Sequence, residues 1–253
     1  MHGIYRHIVR SLKMCAAGVS FFQEVIMKNP FRDLTGFELR LWLISLTAVT
    51  VSFLLSPSTD YLTLTASLIG VTALIFVAKG YVIGQVLTVV FALFYGVISF
   101  YFRYYGEMIT YLGMTSPMAI AAVLSWLKNP YGESREVAVH HITKKESILL
   151  LSSCAGVTAG FYFILGALGT ANLGWSTLSV TTSFLASALT FLRSPLYACA
   201  YAANDVVLMV LWVLASFADP GYIPMVACFF MFFLNDSYGF VNWRRMARRQ
   251  AGA

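Results

Sequence analysis

The chain has 253 residues, of which 59% are hydrophobic and 11% charged, with a mean hydropathy of +0.75 and a formal net charge of +6. Soluble domains carry about 45–50% apolar and about 25% charged residues, so the composition excludes a soluble globular domain and points to a chain that lives in a bilayer. The positive balance does not indicate nucleic-acid binding, because the basic residues stand between and after the apolar runs, where membrane topology puts them.

Residues 1–36 open with "MHGIYRHIVRSLKMCAAGVSFFQEVIMKNPFRDL", which has basic residues and a short apolar patch but no sustained apolar core before a small-residue cleavage site. It reads either as an interfacial amphipathic N-terminal helix or as an extension upstream of a start at Met27. Eight apolar stretches of bilayer length then follow, at roughly 37–55, 61–78, 81–102, 107–127, 147–168, 175–192, 196–217 and 222–243. The fold class expected is therefore an all-α polytopic membrane protein with eight transmembrane helices. Most connectors are short and marked by Pro, Gly or Asp; the exception is the charged "KNPYGESREVAVHHITKKE" at 128–146.

The basic residues alternate. Lys28, Arg32 and Arg40 stand before or at the start of the first span, Lys79 after the second, and Lys128, Arg135, Lys144 and Lys145 after the fourth. Arg193 follows the sixth span, and Arg244, Arg245, Arg248 and Arg249 follow the eighth. In the other connectors Arg103 is offset by Glu107, "ANLG" is uncharged, and 56–60 and 218–221 carry only Asp. Eight spans with both termini cytoplasmic account for this pattern, and the expected location is the inner cell membrane.

A slide of 114 residues lays "TLTASLIGVTALIFVAKGYVIGQ" (63–85) over "TLSVTTSFLASALTFLRSPLYAC" (177–199), so that Thr63 meets Thr177 and Lys79 meets Arg193. Ala73-Leu74 meets Ala188-Leu189 after a shift of one position, and "SWLKNP" echoes "VNWRRM" at the ends of the two units. The expected organisation is an N-terminal helix over 37–60, a three-helix repeat over 61–127, a loop and linker helix over 128–174, a second three-helix repeat over 175–243 and a basic tail over 244–253. Parallel repeats of this kind are a transporter architecture with the substrate site near the midplane.

Two Asn-Asp pairs interrupt the apolar runs. "NDSYG" at 235–239 reads as a turn by composition. Yet a last helix running from Tyr222 to Leu234 would have 13 residues, about 20 Å, and would not cross a hydrocarbon core of about 30 Å. The length argument keeps Asn235, Asp236 and Asn242 inside the span. Asn204-Asp205 lies at a matching depth, about 12 Å from the basic end of its own span. Tyr197, Tyr201, Asn204, Leu208 and Trp212 step by helical spacing along one face, and Asn235, Tyr238 and Asn242 share another. Intramembrane carboxylates are costly and usually face a cavity, although an interhelical clamp is the alternative. The expected substrate-binding set is Asn204, Asp205, Tyr201, Tyr197, Trp212, Asn235, Asp236, Tyr238 and Asn242, with Thr181 and Gln85 as weaker members. An aromatic wall with a few amides and carboxylates suits a flat polar heterocycle carrying a ribose rather than a bare ion. Cys15, Cys154, Cys199 and Cys228 form no C-x-x-C pair, and His140-His141 stand in the charged loop, so no disulfide, metal or cofactor is expected.

The segments "LRSPLYACAYAANDVVLMVLWV", "FFLNDSYGFVNWRRM" and "YYGEMITYLGMTSPMAIAAVLSWLKNP" resemble the nicotinamide riboside transporter family, the PnuC type of bacterial vitamin carriers, over residues 30 to 250. That family is related to the SWEET sugar transporters by repeat architecture. The resemblance implies a non-enzymatic, energy-independent carrier, often a homotrimer in the lipid bilayer, whose small-molecule substrate is trapped inside by phosphorylation. One departure stands out. Where better-known members carry a Trp-rich W-x-x-W-like run, this chain reads "RSPLYACAYAAND", with Tyr197 and Tyr201 in place of Trp. Thiamine, riboflavin and deoxynucleosides are therefore alternative substrates. A proton-coupled carrier or channel using Asp205 or Asp236 is the alternative mechanism. No Gly-x-Gly-Asp protease motif, no retinal-binding Lys in the last span and no P-loop is present.

Overall fold

The computed structural model describes residues 29–56, 60–101 and 105–252, and the expected N-terminal interfacial helix lies outside them. Among the described residues eight long helices follow one another: α1 (Gly36–Leu54), α2 (Tyr61–Ala78), α3 (Val82–Tyr101), α4 (from Tyr105 to Lys128), α5 (Lys144–Ala167), α6 (Leu173–Phe191), α7 (Tyr197–Ser216) and α8 (Ile223–Ala251). Seven of them are long and apolar enough to cross a membrane. The other, α6, has the length, but eight of its 19 residues are Ser or Thr. Hydroxyls in a helix bond back to the carbonyl four residues earlier, as Thr181 does to Thr177 (2.8 Å) and Thr190 to Ala186 (2.8 Å), which lets a polar helix sit among apolar ones.

Local chemistry sets the helix ends. Thr35 and Glu38 form a capping box at the start of α1, and Thr143 and Glu146 form another at α5. Gly80 turns the chain from α2 into α3 at φ +70°, a conformation open to glycine without strain. Arg193 makes the matching turn from α6 into α7 at φ +58°, held by Arg193 N–H to Thr190 O (2.9 Å) and Ser194 N–H to Leu189 O (3.0 Å). In α4 the ring of Pro117 supplies no N–H and crowds the carbonyl of Gly113, and the helix answers with a π turn over Tyr111–Thr115, closed by Ser116 N–H to Tyr111 O. The last helix runs 29 residues without a break through Asn235-Asp236, so "NDSYG" is helical and not a turn.

The helices close a ring in the order α2, α3, α4, α6, α7, α8 and back to α2, with α1 outside against α2 and α8, and α5 outside against α6. The face that carries Lys79, the 129–143 loop, Arg193 and the end of α8 is the basic face. It is tightly packed there. Trp126 and Trp243 are wholly buried with ring centroids 5.4 Å apart, and Tyr197 packs edge-on to Trp243 at 4.8 Å. The two tryptophans bond crosswise: Trp126 Nε1 donates to Thr190 O at the end of α6, and Trp243 Nε1 to Val77 O at the end of α2, both at 2.9 Å. Their neighbours do the same, Ser125 Oγ to Phe191 O and Asn242 Nδ2 to Ala78 O, again both at 2.9 Å. Four carbonyls at the C-terminal ends of α2 and α6 receive a side-chain donor this way.

The charged loop is a clasp across this face. Val137 N–H bonds Gly80 O and His140 N–H bonds Arg193 O, each at 3.0 Å, while Gln250 of α8 bonds the backbone of Val137 and Val139. Ion pairs Arg135–Asp33 (2.8 Å) and Arg249–Glu136 fasten its edges. His140 Nε2 donates to the Glu146 carboxylate at 3.0 Å, which uses it structurally. Cys154, Cys199 and Cys228 hold free thiols, the first and last buried and Cys199 exposed on α7.

Candidate functional site

The opposite half of the ring is not filled. A cavity in three adjoining lobes opens toward the connectors at 168–172 and 218–222, and its largest lobe has a volume of about 450 Å³, within the range of small-molecule pockets. Glu107 of α4 and Trp212 of α7 line all three lobes. Tyr95 of α3 and Tyr111 of α4 face each other at 4.6 Å between centroids, and Trp212 and Tyr222 at 5.4 Å, so two aromatic pairs wall the space. The π turn matters here, since it is the element that carries Tyr111 and Thr115 to the wall. Ser176, Ser179 and Ser183 of α6 supply hydroxyls, and Asp60 and Asp219 stand at the mouth. Among the described lining residues none is Lys, Arg or His.

Asn204 lies at the inner end of the cavity. Its Oδ1 accepts from Thr182 Oγ1 at 2.8 Å and from Ser179 Oγ at 3.5 Å, which leaves the amide nitrogen as the free donor of the wall. The α7 stripe read from the sequence divides at this point. Asn204, Leu208 and Trp212 line the cavity, whereas Tyr197 and Tyr201 lie one to two turns lower, in the packed basic half. There Tyr201 OH meets Ser187 Oγ at 3.1 Å, and Tyr197 is 1% exposed.

Directly below Asn204, the buried carboxyl groups of Asp205 (α7) and Asp236 (α8) are neighbours. Asp205 Oδ2 has no protein donor, so a bond between these two acceptors closes only with a proton held between them. The pair clamps α7 to α8 and does not reach the cavity.

The remaining members of the expected set stand elsewhere. Asn235 and Asn204 do not share a cavity: Asn235 is wholly buried and its Nδ2 donates to Ser45 Oγ of α1 at 2.9 Å and to Met231 O at 2.8 Å. One helical face cannot turn both to the ring centre and to α1, and the outer position of α1 claims it. Tyr238 OH donates to Glu38 Oε1 at 2.7 Å, joining the Glu38–Lys79 ion pair (3.0 Å), and Asn242 caps α2. Thr181 faces α5, where its hydroxyl meets that of Thr158 at 2.8 Å, in a shallow apolar groove on the outside of the ring. Gln85 is 3% exposed in α3 one turn after Tyr81, away from the cavity walls. In the other direction, the sequence reading passed over Glu107, Tyr95 and Tyr111. Glu107 looked like a loop charge balancing Arg103. The signal available was its spacing: Thr110 and Tyr111 follow at three and four residues, which stacks a hydroxyl, a phenol and a carboxylate on one helical face.

A bundle of apolar helices packed shut at one face and hollow toward the other has the architecture of a membrane carrier. The chain belongs to the family described as Nicotinamide mononucleotide transporter, which matches residues 60–245. A nicotinamide riboside transporter, PnuC, of Neisseria mucosa is 25% identical over 228 residues, covering 88% of this chain and 86% of its own. The crystal structure of the vitamin B3 transporter PnuC has the same fold, with a TM-score of 0.74 at 24% identity over 91% of this chain and 98% of that one. These relatives are transporters and not enzymes.

Proposed function

We propose that the protein carries nicotinamide riboside, rather than the phosphorylated mononucleotide, across the inner cell membrane by alternating access. The observation that carries this reading is the lining of the cavity: two aromatic pairs, hydroxyls, an amide and carboxylates, with no cationic side chain among the described walls. Phosphoryl groups are held by Arg and Lys forks, which the described walls do not supply, whereas a flat ring with a ribose finds stacking faces and hydroxyl partners. The relative of Neisseria mucosa supports the same substrate. The expected experiment is a thermal-shift panel on purified protein with nicotinamide riboside, nicotinamide mononucleotide, thiamine, riboflavin and deoxynucleosides. The riboside is expected to give the largest shift; a larger shift with the mononucleotide or another vitamin overturns the assignment.

The carrier is built as eight spans with both termini cytoplasmic, α2–α4 and α6–α8 forming two parallel repeats and α5 the linker. The crosswise bonds support this, since Ser125-Trp126 and Asn242-Trp243 play the same part on the ends of α6 and α2. They pair Val77 with Thr190, one residue short of the 114-residue slide, and the ends of α4 and α8 three residues beyond it. The Ala73-Leu74 and Ala188-Leu189 match is thus not the structural one. The basic face is the cytoplasmic one and the cavity opens outward. Transport is downhill, with the product retained by phosphorylation in the cell, and the assembly is a homotrimer, both readings resting on the resemblance. A second mechanism has one specific observation behind it, the pair of buried carboxyl groups of Asp205 and Asp236 inside the bundle. Uptake into proteoliposomes that is indifferent to an uncoupler supports the downhill reading; uptake that collapses favours proton coupling.

A further inference from the structure

We propose that Glu107 selects ligands by charge, acting as the counter-ion that makes this cavity prefer a cationic aromatic ring over its neutral isostere. The inference rests on the nicotinamide riboside reading, whose pyridinium ring carries a fixed positive charge. Glu107 lines every lobe of the cavity, and the surface it leaves open faces that space. It shares the cavity wall with Tyr111, four residues on along α4, with Tyr95, whose ring packs on that of Tyr111, and with Trp212 of α7. An aromatic wall with a carboxylate behind it attracts a delocalised cation twice, by ring faces and by charge, and the low dielectric of the site strengthens both. No cationic side chain among the described lining residues competes for that carboxylate.

The first turn of α4 offers Glu107 a plainer role, since a carboxylate there favours the helix dipole. That role is met equally well by a carboxylate turned to solvent. It gives no reason to hold the group inside a membrane bundle, where an ionisable side chain is costly and usually serves a pathway. It also makes a different prediction, because a dipole contact does not distinguish two ligands of the same shape.

The test measures binding of nicotinamide riboside and of its reduced dihydro form, which keeps the ribose and carboxamide but has a neutral ring. Affinities are read by calorimetry on detergent-purified wild type, Glu107→Gln and Glu107→Asp. The wild type is expected to favour the cation by about tenfold or more, Glu107→Gln to bring the ratio close to one, and Glu107→Asp to keep most of it. A Glu107→Gln variant that weakens both ligands in equal proportion makes Glu107 structural and overturns the proposal. So does a wild type that binds both ligands equally, a result that stands even where the variants do not fold. A wild type that binds neither, yet binds another vitamin of the panel, overturns the substrate reading and this inference with it.

Discussion

The two halves of the ring are made from the same helices and differ in what those helices do with their polar groups. In the basic half the ends of α2 and α6 find partners: indole nitrogens, a hydroxyl and an amide reach four of their carbonyls, and the 129–143 loop bonds the turns at Gly80 and Arg193. In the other half the polar groups of α4, α6 and α7 point at empty space. The difference teaches that tight packing and open space are segregated along the bundle axis. Side chains that were candidates for recognition because they are polar and intramembrane, such as Asn235, Tyr238 and Asn242, belong to the rigid part. Those that meet the cavity do so because their partners are too few to fill it.

Substitutions that respect this division separate stability from affinity. The largest expected effect is Trp243→Ala, which empties a wholly buried site and removes the indole bond to Val77 O; it is expected to cost about 3–5 kcal/mol of stability, read as a lowered midpoint in thermal unfolding followed by size exclusion. Glu38→Ala leaves Lys79 and the Tyr238 hydroxyl without their acceptor at the α1, α2 and α8 junction and is expected to cost about 3 kcal/mol by the same measurement. Neither change is expected to alter ligand affinity once the folded fraction is counted.

The cavity half should respond the other way. Asn204→Leu removes the amide at the inner end of the cavity and is expected to weaken nicotinamide riboside by about 1–3 kcal/mol, roughly 5- to 150-fold in Kd. Tyr201→Phe, below the cavity, keeps the ring and loses only the bond to Ser187; its Kd is expected to change less than about threefold. If Tyr201→Phe abolished binding while Asn204→Leu bound as wild type, the border between the halves would be drawn in the wrong place. Trp212→Leu is expected to lose about 0.5–1.5 kcal/mol of stacking in the same titration. The smallest effect is expected for Thr181→Val, which faces α5 in a lipid-side groove and should leave Kd unchanged within error.

Much of this protein was legible without coordinates. Apolar runs of bilayer length, separated by Pro, Gly and Asp, set the helices to within about three residues, because each span must satisfy its own backbone bonds in lipid and so is specified locally; the exception is α8, which runs on as helix to Ala251 through the stretch expected as a basic tail. Length alone required α8 to continue through Asn235-Asp236, and the echo of "SWLKNP" in "VNWRRM" located the two tryptophans that bond crosswise. What only the tertiary structure decided was which polar side chain faces which neighbour. Helical periodicity puts Tyr197, Tyr201, Asn204 and Trp212 on one stripe, but it cannot say that packing fills the lower part of that stripe and leaves the upper part open. Nor can it say that α1 lies outside the ring and claims Asn235 and Tyr238, or that a proline-driven π turn shifts the register of α4 after Glu107 and brings Thr115 to the wall. A helix is written in local spacing; a cavity is the volume that several helices fail to fill, and it exists only once they have met.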